Sequence, residues 1–503
     1  MFDARQSNDE APRTVVVGAG IGGLSAATRL QGAGHRVTLF DTHSWPGGKM
    51  RVVPSEAGPV DAGPTVLTMR HVFDDLFSAT GARLEDHVTL IEETLLARHF
   101  WPDGSTLDLT NDHDRNANAI EHFAGPTIAR EYQNFSKEAA ELFELFRTPM
   151  MLNAEPSVFE LAKVSLANPR HLAALSPMAK LCSHLVRRFS DPRLAQLFGR
   201  YATYVGGSPL RSPALLSLIW QAEASGVWRV DGGMHKLAIA IAEQFQAIGG
   251  TLRLATDVAE VSVRAGRVTG VRLTDGEDVS ADTVIFAGDP RALAMGKLGD
   301  ALRRVAPHTA TLPRSLSARV WSFAATPETS LNLAYHNVFF GTSATSEFED
   351  LAGGAMPTDP TIYICAEDRG TGARAPVGPE RFEIILNAAP LTDAKAPPDE
   401  EDTCRQTTFQ TLEQFGLRFD PAPTGQSLAT PTTYETLFPA SAGALYGQTP
   451  HGMTAALRRP RARTCIQGLY LAGGGTHPGA GVPMAALSGK HAAEAILKDH
   501  ALT

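Results

Sequence analysis

The chain has 503 residues, enough for two or three domains of about 150 residues that each bury a core. Charged residues make up 20% of it, hydrophobic residues make up 43%, and the net charge is -9. This composition excludes a mainly disordered chain and disfavours nucleic acid as a partner. Cys182, Cys365, Cys404 and Cys465 are far apart and form no zinc-type cluster. We interpret them as free thiols in a reducing compartment and predict no metal site.

Neither end of the chain shows a targeting or membrane-spanning segment. The first thirteen residues are polar and carry both charge signs, which fits neither a signal peptide nor a transit peptide. The longest uncharged run, Thr464 to Gly489, contains seven glycines and two prolines, so we interpret it as loop-rich. These features predict a cytoplasmic protein.

A βαβ unit is predicted at the start of the chain. Thr14 to Val17 is a β-branched run, and Ile21 to Leu30 has apolar residues at helical spacing. Arg36 to Phe40 is typical of a second buried strand. A similar organisation returns near the other end, where Gly468 to Ala472 predicts a strand and Val482 to Leu497 a helix.

The middle of the chain contains a third set of elements of this kind. Leu237 to Phe245 has a helical pattern, and Asp282 to Ala287 is typical of a buried strand. Between them, three alternating runs predict a set of hairpin strands: Leu252 to Leu254, Val258 to Val263 and Val268 to Leu273.

Two insertions of different texture separate these pieces. Val72 to Arg229 is largely helical in pattern, whereas Pro290 to Pro460 combines strands with long loops. The strand candidates in the second insertion are Ser317 to Ala325, Thr361 to Glu367 and Phe382 to Ala388, and Thr392 to Asp402 is predicted to be an exposed connection. The sequence therefore predicts an α/β fold with a discontinuous, Rossmann-like nucleotide-binding domain from residues 1–71, 230–289 and 461–503, and an inserted α+β domain from residues 72–229 and 290–460.

The glycines after the first strand indicate a dinucleotide. Gly18, Gly20 and Gly23 form a G-x-G-x-x-G motif that opens a helix. The first glycine permits a tight turn, the second lets a pyrophosphate approach the backbone, and the third lets helix and strand pack closely. The helix N-terminus supplies N–H groups for the phosphates, and Asp41, at the end of the second strand, can bind a ribose hydroxyl.

Residues near this motif favour FAD over NAD. Gly47-Gly48 is a second glycine pair that brings more backbone N–H groups to the pyrophosphate, and an NAD site does not need it. Lys49 and Arg51 are placed to lie near flavin or phosphate, or in solvent, and Asp61 to Thr65 is a candidate to continue along the same ligand. The glycine-rich segment from Gly473 to Met484 opens another helix, whose dipole can stabilise negative charge on the flavin ring.

With these motifs in place, the sequence resembles the bacterial-type carotenoid desaturases, FAD enzymes related to phytoene desaturase with an amine oxidase or GDI-like fold. The resemblance runs over almost the whole chain. Its most specific parts are Val15 to Met50, Val205 to Pro209, Gly226 to Met234, His336 to Phe340 and Gly473 to Gly489. It implies that FAD contacts Gly18, Gly20, Gly23, Asp41, Gly48, Val258 and the turn from Gly481 to Met484, which includes Val482. Lys49 and Gly474 are further predicted FAD-binding residues.

Within this family, the sequence is most similar to the 1-hydroxycarotenoid 3,4-desaturases, also called methoxyneurosporene dehydrogenases. Ser208 stands where phytoene desaturases usually carry Asn, and they lack the Met234-His235 pair. The resemblance implies that an acyclic 1-hydroxycarotenoid gains a C-3,4 double bond. Phytoene desaturation or carotenoid isomerisation remains an alternative, as does a non-enzymatic lipid-binding escort of the GDI type, which uses no flavin.

Desaturation removes a hydride and a proton from adjacent carbons and calls for an apolar tunnel. The candidates to line it are Phe198, Tyr201, Tyr204, Leu215, Leu216, Leu218, Ile219, Trp220, Val338, Phe339 and Phe340. Glu160 and Lys163 share one face of an apolar helical stretch. If that face turns into the tunnel, they are the candidate acid/base pair or bind a substrate hydroxyl, and a surface salt bridge is the alternative.

Other ionisable residues rank below this pair. Glu223 and His235 are further candidates for the acid/base role, whereas we interpret His336 and His477 as structural or flavin-packing residues. The sequence leaves the oligomeric state and the terminal electron acceptor open.

A carotenoid resides in the bilayer, so we expect peripheral association with the inner face of a membrane. His171 to Phe189 is the candidate docking segment, because apolar and basic residues alternate along it. Its apolar residues are Leu172, Leu175, Met178, Leu181, Leu185 and Val186, and its basic residues are Lys180, His184, Arg187 and Arg188. An amphipathic helix packed on the core, with a solvated basic face, is the alternative.

Overall fold

The structure is a computed structural model that describes residues 11–168, 179–373, 376–392 and 400–502. A five-stranded parallel sheet gathers strands from distant parts of the chain. Its strands, in spatial order, are Leu469–Leu471, Thr283–Phe286, Arg13–Val17, Arg36–Phe40 and Thr251–Arg253. The predicted βαβ unit is confirmed: the helix Ile21–Gly32 connects Arg13–Val17 and Arg36–Phe40, which are neighbouring strands of this sheet.

The two faces of this sheet are covered differently because successive side chains of a strand point to opposite sides. Val16 packs in a cluster with the helices Ile21–Gly32, His235–Ala247 and Val482–Ala501. Val15, the preceding residue, packs instead in a cluster with an antiparallel sheet of three strands. The parallel sheet is therefore buried on both faces, as its apolar strands require.

The three-stranded sheet corrects one prediction. Its strands are Val258–Arg264, Arg267–Leu273 and Asp278–Ser280. The run Leu252 to Leu254, predicted to belong to this hairpin set, instead contributes to Thr251–Arg253, which pairs in parallel with Arg36–Phe40 at the edge of the five-stranded sheet. A short alternating run shows that a strand is present but does not identify its partner.

A second, eight-stranded sheet is mostly antiparallel. Its strands, in spatial order, are Leu417–Asp420, Ser317–Thr329, Glu380–Ala388, Ile362–Ala366, His336–Phe339, Leu95–Phe100 and Thr106–Thr110, and Leu428–Ala429 pairs with Ser317–Thr329. Only His336–Phe339 and Leu95–Phe100 run parallel to each other among these described strands. Two further strand pairs join Val52–Val53 to Val60–Asp61 and Leu90–Glu92 to Trp228–Val230.

All five strands of the parallel sheet lie within the segments assigned to nucleotide binding, and the eight-stranded sheet lies within the two insertions. The domain boundaries themselves stay a prediction. The first insertion contains strands that the helical prediction missed, at Leu95–Phe100 and Thr106–Thr110. In the predicted connection Thr392 to Asp402, residues 393–399 lie outside the described residues, and a helix begins at Glu400.

The helices are distributed over the whole described chain. Besides the three against the parallel sheet, they are His71–Ser78, His113–Ala124, Pro126–Phe146, Val158–Ala167, Leu181–Arg188, Pro192–Gly199, Ile219–Ala224, Pro290–Ala294, Ser346–Ala352, Glu400–Gln414 and Pro431–Leu437, with a π-helical segment at Arg147–Leu152. Short 3-10 segments are Leu84–Asp86, Arg200–Val205, Ala214–Leu218, Asp300–Leu302, Pro307–Ala310, Gly425–Ser427 and Ala456–Arg458. Within the described part of the chain, no helix has the length and apolar character needed to cross a bilayer.

The packing of the first helix predicts a stability effect at Gly23. A Cβ atom added there would lie 1.9 Å from the Gly18 carbonyl oxygen and 3.0 Å from the Ala287 Cβ. We expect Gly23→Ala to lower the free energy of unfolding of the apoprotein by about 1 to 3 kcal/mol, because the backbone must move to admit the methyl group. Thermal and urea unfolding measure the change.

Gly199→Ala is the matched control for Gly23→Ala. Gly199 is helical, and the nearest atom to an added Cβ there is a Pro209 side-chain carbon at an ordinary 3.6 Å. This variant should be as stable as the wild type or slightly more stable. Equal stability of Gly23→Ala and the wild type would contradict the packing argument.

Candidate functional site

A cavity of about 1590 Å³ connects the glycine-rich loops at the parallel sheet with the helical insertion and the eight-stranded sheet. Pockets for one drug-sized ligand have volumes of roughly 300 to 1,000 Å³, so this cavity has room for more than one ligand. Most of the exposed wall is contributed by apolar atoms, and the polar groups are concentrated in a few places.

The glycine loop forms an open cradle at one end of the cavity. Gly18 has φ +106°, a conformation that L side chains rarely adopt, and it turns the chain from the first strand into the helix. A Cβ added at Gly20 would meet no protein atom within 4 Å, so this backbone faces open space. The first intrahelical hydrogen bond runs from the Leu24 N–H to the Gly20 carbonyl, which leaves the preceding N–H groups available to an anion.

The second glycine pair lies directly against the first. The Gly47 N–H donates to the Ala19 carbonyl at 2.8 Å, and a Cβ added at Gly48 would lie 3.2 Å from the Gly20 Cα. Gly47 and Gly48 have φ of +110° and +60°. The chain after Asp41 therefore returns to the cradle, where the resemblance places the pyrophosphate.

Asp41 holds the cradle together as well as lining the cavity. One carboxylate oxygen accepts the Ala19 N–H at 2.6 Å, and the other accepts the His43 backbone N–H and contacts the His43 Nδ1, both at 2.8 Å. Each carboxylate oxygen can accept more than one hydrogen bond, so Asp41 retains capacity for a ribose hydroxyl.

Two buried cations lie on the cavity wall further along. The Lys49 Nζ donates to the Leu445 carbonyl at 2.6 Å, and burial lowers the pKa of Lys49 to about 8. Arg459 donates to the Gly474 and Tyr446 carbonyls at 2.8 and 3.0 Å, and burial lowers its pKa to about 10. Both groups lie where an anionic ligand would relieve the cost of burying positive charge.

The last helix also begins at the cavity. Gly481 caps it with φ +108°, and Val482 and Met484 in its first turn line the wall. Its positive dipole end is therefore directed at a bound ligand. A dinucleotide would rest between this helix N-terminus and the cradle at Gly20, and the residues present fit FAD.

The structure places ten of the eleven predicted FAD-binding residues on the cavity wall: Gly18, Gly20, Asp41, Gly48, Lys49, Val258, Gly474, Gly481, Val482 and Met484. Gly23 is the exception, because it packs against Gly18 behind the cradle. Direct contact of these residues with FAD stays a prediction. The segment Gly63 to Thr65 also lines the wall, as expected for a chain that follows the ligand.

Six of the eleven predicted tunnel residues line the cavity: Tyr204, Leu215, Leu216, Leu218, Ile219 and Phe340. The other five are buried in the protein core instead: Phe198, Tyr201, Trp220, Val338 and Phe339. Trp220, for example, donates its indole N–H to the Ser136 hydroxyl at 3.0 Å.

Glu160 and Lys163 do not lie on the cavity wall, so the condition on which their acid/base or hydroxyl-binding role depends is not met. Both side chains are exposed, and Glu160 accepts a hydrogen bond from the Asn153 side chain at 3.2 Å. The helix Val158–Ala167 turns a different face to the cavity: Val158, Leu161, Ala162 and Ser165. The i,i+3 spacing established that the two residues share a face, but apolar neighbours on every side left its orientation open.

The predicted histidines are held by structural contacts. The His235 ring contacts the Pro46 carbonyl at 2.9 Å, and the His477 ring contacts the Asn153 carbonyl at 2.8 Å. His336 contacts the Tyr363 hydroxyl at 2.5 Å, and burial lowers the pKa of His336 to about 3. Glu223, in contrast, is buried and lies on the cavity wall.

The sequence missed the partner of Glu223. Arg200 lines the cavity beside it, and Tyr204 lies between them. Burial raises the pKa of the Glu223 carboxyl, and the Arg200 charge lowers it. The i,i+4 spacing of Arg200 and Tyr204 indicates that they lie on one face of a helical segment, but the sequence does not show that this face lines the cavity.

The predicted docking segment is corrected in part. Leu172, Leu175 and Met178 lie outside the described residues. In the helix Leu181–Arg188, Leu181, His184 and Leu185 are buried, and Arg188 pairs with Glu138, so this face packs on the protein. Lys180, Val186 and Arg187 are exposed.

The open space at Gly20 predicts the result of filling it. We expect Gly20→Val to fold, because the side chain meets no protein atom, and to lack bound FAD, because the valine occupies the pyrophosphate position. Flavin absorbance of the purified protein and thermal unfolding measure both properties. The control is wild-type apoprotein, whose stability the variant should match. Full flavin occupancy in Gly20→Val would contradict the cradle assignment.

Comparisons with known proteins agree with this geometry. The sequence model described as flavin containing amine oxidoreductase matches residues 21–497. A protein of Cereibacter sphaeroides named hydroxyneurosporene desaturase is 53% identical over 97% of this chain and 98% of its own length. A protein of Rhodobacter capsulatus with the same name is 48% identical over 96% and 97% of the two chains.

Solved structures support the same fold. A putrescine oxidase double mutant, from a redesign of cofactor binding, superposes with a TM-score of 0.62, 16% identity and coverage of 97% of this chain and 99% of that one. A fatty acid isomerase from P. acnes superposes with a TM-score of 0.61, 12% identity and coverage of 98% and 99%. Together with the glycine cradle and the family match over most of the sequence, these findings show that the chain belongs to the flavin containing amine oxidoreductase family, with FAD as its cofactor.

Proposed function

We propose that this protein is an FAD-dependent carotenoid desaturase that introduces a C-3,4 double bond into an acyclic 1-hydroxycarotenoid. The observation that carries the proposal is the continuity of the cavity, whose wall includes both the glycine cradle at Gly20 and apolar side chains such as Leu216 and Phe340. A long hydrocarbon and a dinucleotide can therefore meet in one space. Full-length relatives named hydroxyneurosporene desaturase support the substrate class.

The chemistry requires alignment of one C–C bond and exclusion of water. FAD, when bound, accepts the hydride from one of the two carbons, and the proton from the other carbon completes its reduction, so that both hydrogens leave on the cofactor. Leu215, Leu218 and Ile219 supply a wall without hydrogen-bonding groups, so the reacting segment is surrounded by hydrocarbon. The N-terminus of the helix Val482–Ala501 offers a positive dipole end to negative charge that develops on the ring.

Product analysis tests the proposed substrate. Purified enzyme with bound FAD is supplied, in lipid vesicles, with a 1-hydroxylated acyclic carotene or with phytoene. We expect the hydroxylated substrate to gain one double bond at C-3,4, seen as a longer-wavelength absorption and a mass lower by two hydrogens, and phytoene to stay unchanged. Gly20→Val serves as the flavin-free control. Conversion of phytoene to neurosporene or lycopene would instead identify a phytoene desaturase.

The mouth of the cavity gives the enzyme a surface suited to a membrane. Val158 and Val186 line the cavity and are also 67% and 64% exposed, so they mark its mouth. Phe159 and Leu166 are exposed on the same helix as Val158, and Leu152 is exposed at the end of the preceding segment Arg147–Leu152. Together these five residues form the mouth patch: Leu152, Val158, Phe159, Leu166 and Val186.

Charge on the mouth patch favours an anionic lipid surface as the partner. Phe159, Lys163 and Leu166 follow one face of the helix Val158–Ala167, and all three side chains are exposed. Arg187, beside Val186, is exposed as well. A basic residue close to an anionic membrane contributes about 1 kcal/mol to binding. The mouth patch therefore docks on the bilayer that dissolves the substrate, at the inner face of a membrane.

Vesicle co-sedimentation tests the mouth patch. We expect Phe159→Ser with Leu166→Ser to lower the affinity for vesicles of phosphatidylcholine and phosphatidylglycerol at least about tenfold, because burying each side chain in lipid contributes about 1.5 to 3 kcal/mol. Val377→Ser is the control, since Val377 is fully exposed and lies outside the patch. Undiminished binding of the double variant, with flavin content unchanged, would place the docking surface elsewhere.

A further inference from the structure

One polar cluster interrupts the apolar wall of the cavity. Arg200 and Tyr204 lie on the segment Arg200–Val205, and Glu223 lies on the helix Ile219–Ala224. Arg200 Nη2 donates to the Tyr204 hydroxyl at 3.1 Å, and the Tyr204 hydroxyl donates to Glu223 Oε2 at 2.7 Å. The Tyr201 hydroxyl donates to Glu223 Oε1 at 2.8 Å. We name these four residues the Arg200 cluster.

Both oxygens of the Glu223 carboxylate have partners in the Arg200 cluster, whereas the guanidinium has a nitrogen that is unpaired within the described part of the chain. Each Glu223 oxygen accepts from a tyrosine, whereas Arg200 Nη1 is buried and has no hydrogen-bond partner among the described residues. Arg200 is 9% exposed, so water does not replace the missing partner freely. A buried N–H group without an acceptor is costly, more so on a charged group, and this atom therefore calls for a ligand oxygen.

The Arg200 cluster lies close to the wall segment Gly63 to Thr65, which we expect to follow FAD toward its flavin ring. The Arg200 guanidinium carbon is 5.9 Å from the centre of the Tyr363 ring. The Tyr363 hydroxyl is 2.7 Å from the Thr65 hydroxyl, and Thr65 belongs to the wall segment that follows the second glycine pair. Arg200, Tyr204, Tyr363 and Thr65 all line the same cavity.

An acyclic hydroxycarotenoid has one polar group on a long hydrocarbon chain. A uniform apolar tunnel would let such a chain slide, because neighbouring positions offer similar contacts. Only the hydroxyl can fix which bond faces the flavin, and carbons 3 and 4 lie close to the carbon that carries it. A hydrogen bond to this hydroxyl near the ring would therefore select the C-3,4 bond.

We propose that the Arg200 guanidinium, which lines the cavity, donates a hydrogen bond to the substrate hydroxyl, while Tyr204 and Glu223 hold it in place. The inference rests on the proposed function, since it assigns a role toward the 1-hydroxyl group. Glu223 supplies the negative charge that allows the arginine to be buried beside a hydrocarbon. The cluster thereby takes the hydroxyl-binding role that the sequence assigned to Glu160 and Lys163.

A second polar place on the wall is less suited to this role. The buried Glu347 carboxylate accepts hydrogen bonds from the Thr361 backbone at 3.1 Å and the Asn387 side chain at 2.7 Å. Each of its oxygens already has a protein partner, so the burial of this group does not require a ligand. Arg200 Nη1, in contrast, is a donor that the protein leaves unused.

The test compares two substrates that differ only in the hydroxyl group. Arg200→Met keeps a long side chain and removes the donor. We expect its kcat/KM for the 1-hydroxylated acyclic carotene to fall about 10- to 100-fold, the effect of one hydrogen bond to a charged group. For the matched carotene without the hydroxyl, kcat/KM should change less than about threefold. The preference of the wild type for the hydroxylated substrate is thereby lost.

Arg229→Met is the matched control. Arg229 pairs with the buried Glu93 at 2.9 Å and lies 5.6 Å from the Tyr335 ring, but neither Arg229 nor Glu93 lines the cavity. Its removal should leave the preference between the two substrates unchanged. Flavin content and thermal stability are measured for every variant.

If Arg200→Met does not fold, Tyr204→Phe replaces it, since it removes the hydroxyl that holds the guanidinium and adds nothing. This variant should lower the preference, because KM should rise more for the hydroxylated substrate than for the substrate without the hydroxyl. An equal loss of activity toward both substrates, or an unchanged preference, would overturn the inference. Failure of the wild type to convert any hydroxylated carotene would instead overturn the proposed function.

Discussion

Close approach of backbone to backbone at the glycines is the constraint on which the rest of the structure depends. A Cβ added at Gly22 would lie 2.5 Å from the Gly473 nitrogen, and one added at Gly489 would lie 2.3 Å from the Gly22 carbonyl oxygen. These contacts join the first helix to the end of the last strand and to the final helix. Because residues so distant in sequence must meet without side chains, the cradle forms only when both ends of the chain are folded. Cofactor binding and stability therefore depend on the same few positions.

Polar and apolar groups are arranged along the cavity so that one part of the wall suits a dinucleotide and another part suits a hydrocarbon. At the cradle, backbone N–H groups and the buried Lys49 and Arg459 provide positive character without filling the space. Beyond it, the wall is mostly apolar, and its polar groups, such as Arg200 with Glu223 and Glu347 with Asn387, are paired within the protein. A dinucleotide and a hydrocarbon can share one cavity because each meets a different part of its wall.

Local patterns in the sequence predicted those elements whose partners are fixed by the chain itself. The first βαβ unit was predicted within a few residues, since strand, glycine turn and helix are consecutive. The strands Leu95–Phe100 and Thr106–Thr110 were missed although Pro102, Asp103 and Gly104 between them are typical of a hairpin turn. This hairpin is short and lies between segments with a helical pattern, so the pattern of the whole region is helical.

The predicted site residues lie on the cavity wall where backbone chemistry decides their position and lie elsewhere where side-chain orientation decides it. Glycine positions follow from steric rules that hold in any chain, so the cradle could be identified before the structure. The faces of Val158–Ala167 and Leu181–Arg188 depend on which neighbours they meet in three dimensions. Glu160 and Lys163 therefore point to solvent, and Leu181 and Leu185 pack inward.

The proposed docking surface and the proposed hydroxyl contact at Arg200 together suggest how a carotenoid enters the cavity. The mouth patch is exposed, with Phe159 at 79%, whereas Arg200 is buried, so a hydroxyl group must pass the apolar mouth before it reaches the guanidinium. A molecule drawn from the bilayer with its hydroxylated end leading loses its interfacial hydrogen bonds and regains one at Arg200. The opposite end of the molecule has no polar group to satisfy and can remain in the mouth or in lipid. The length of the hydrocarbon then has little effect on which carotenoid the enzyme accepts, whereas the chemical identity of the end that enters first has a strong effect.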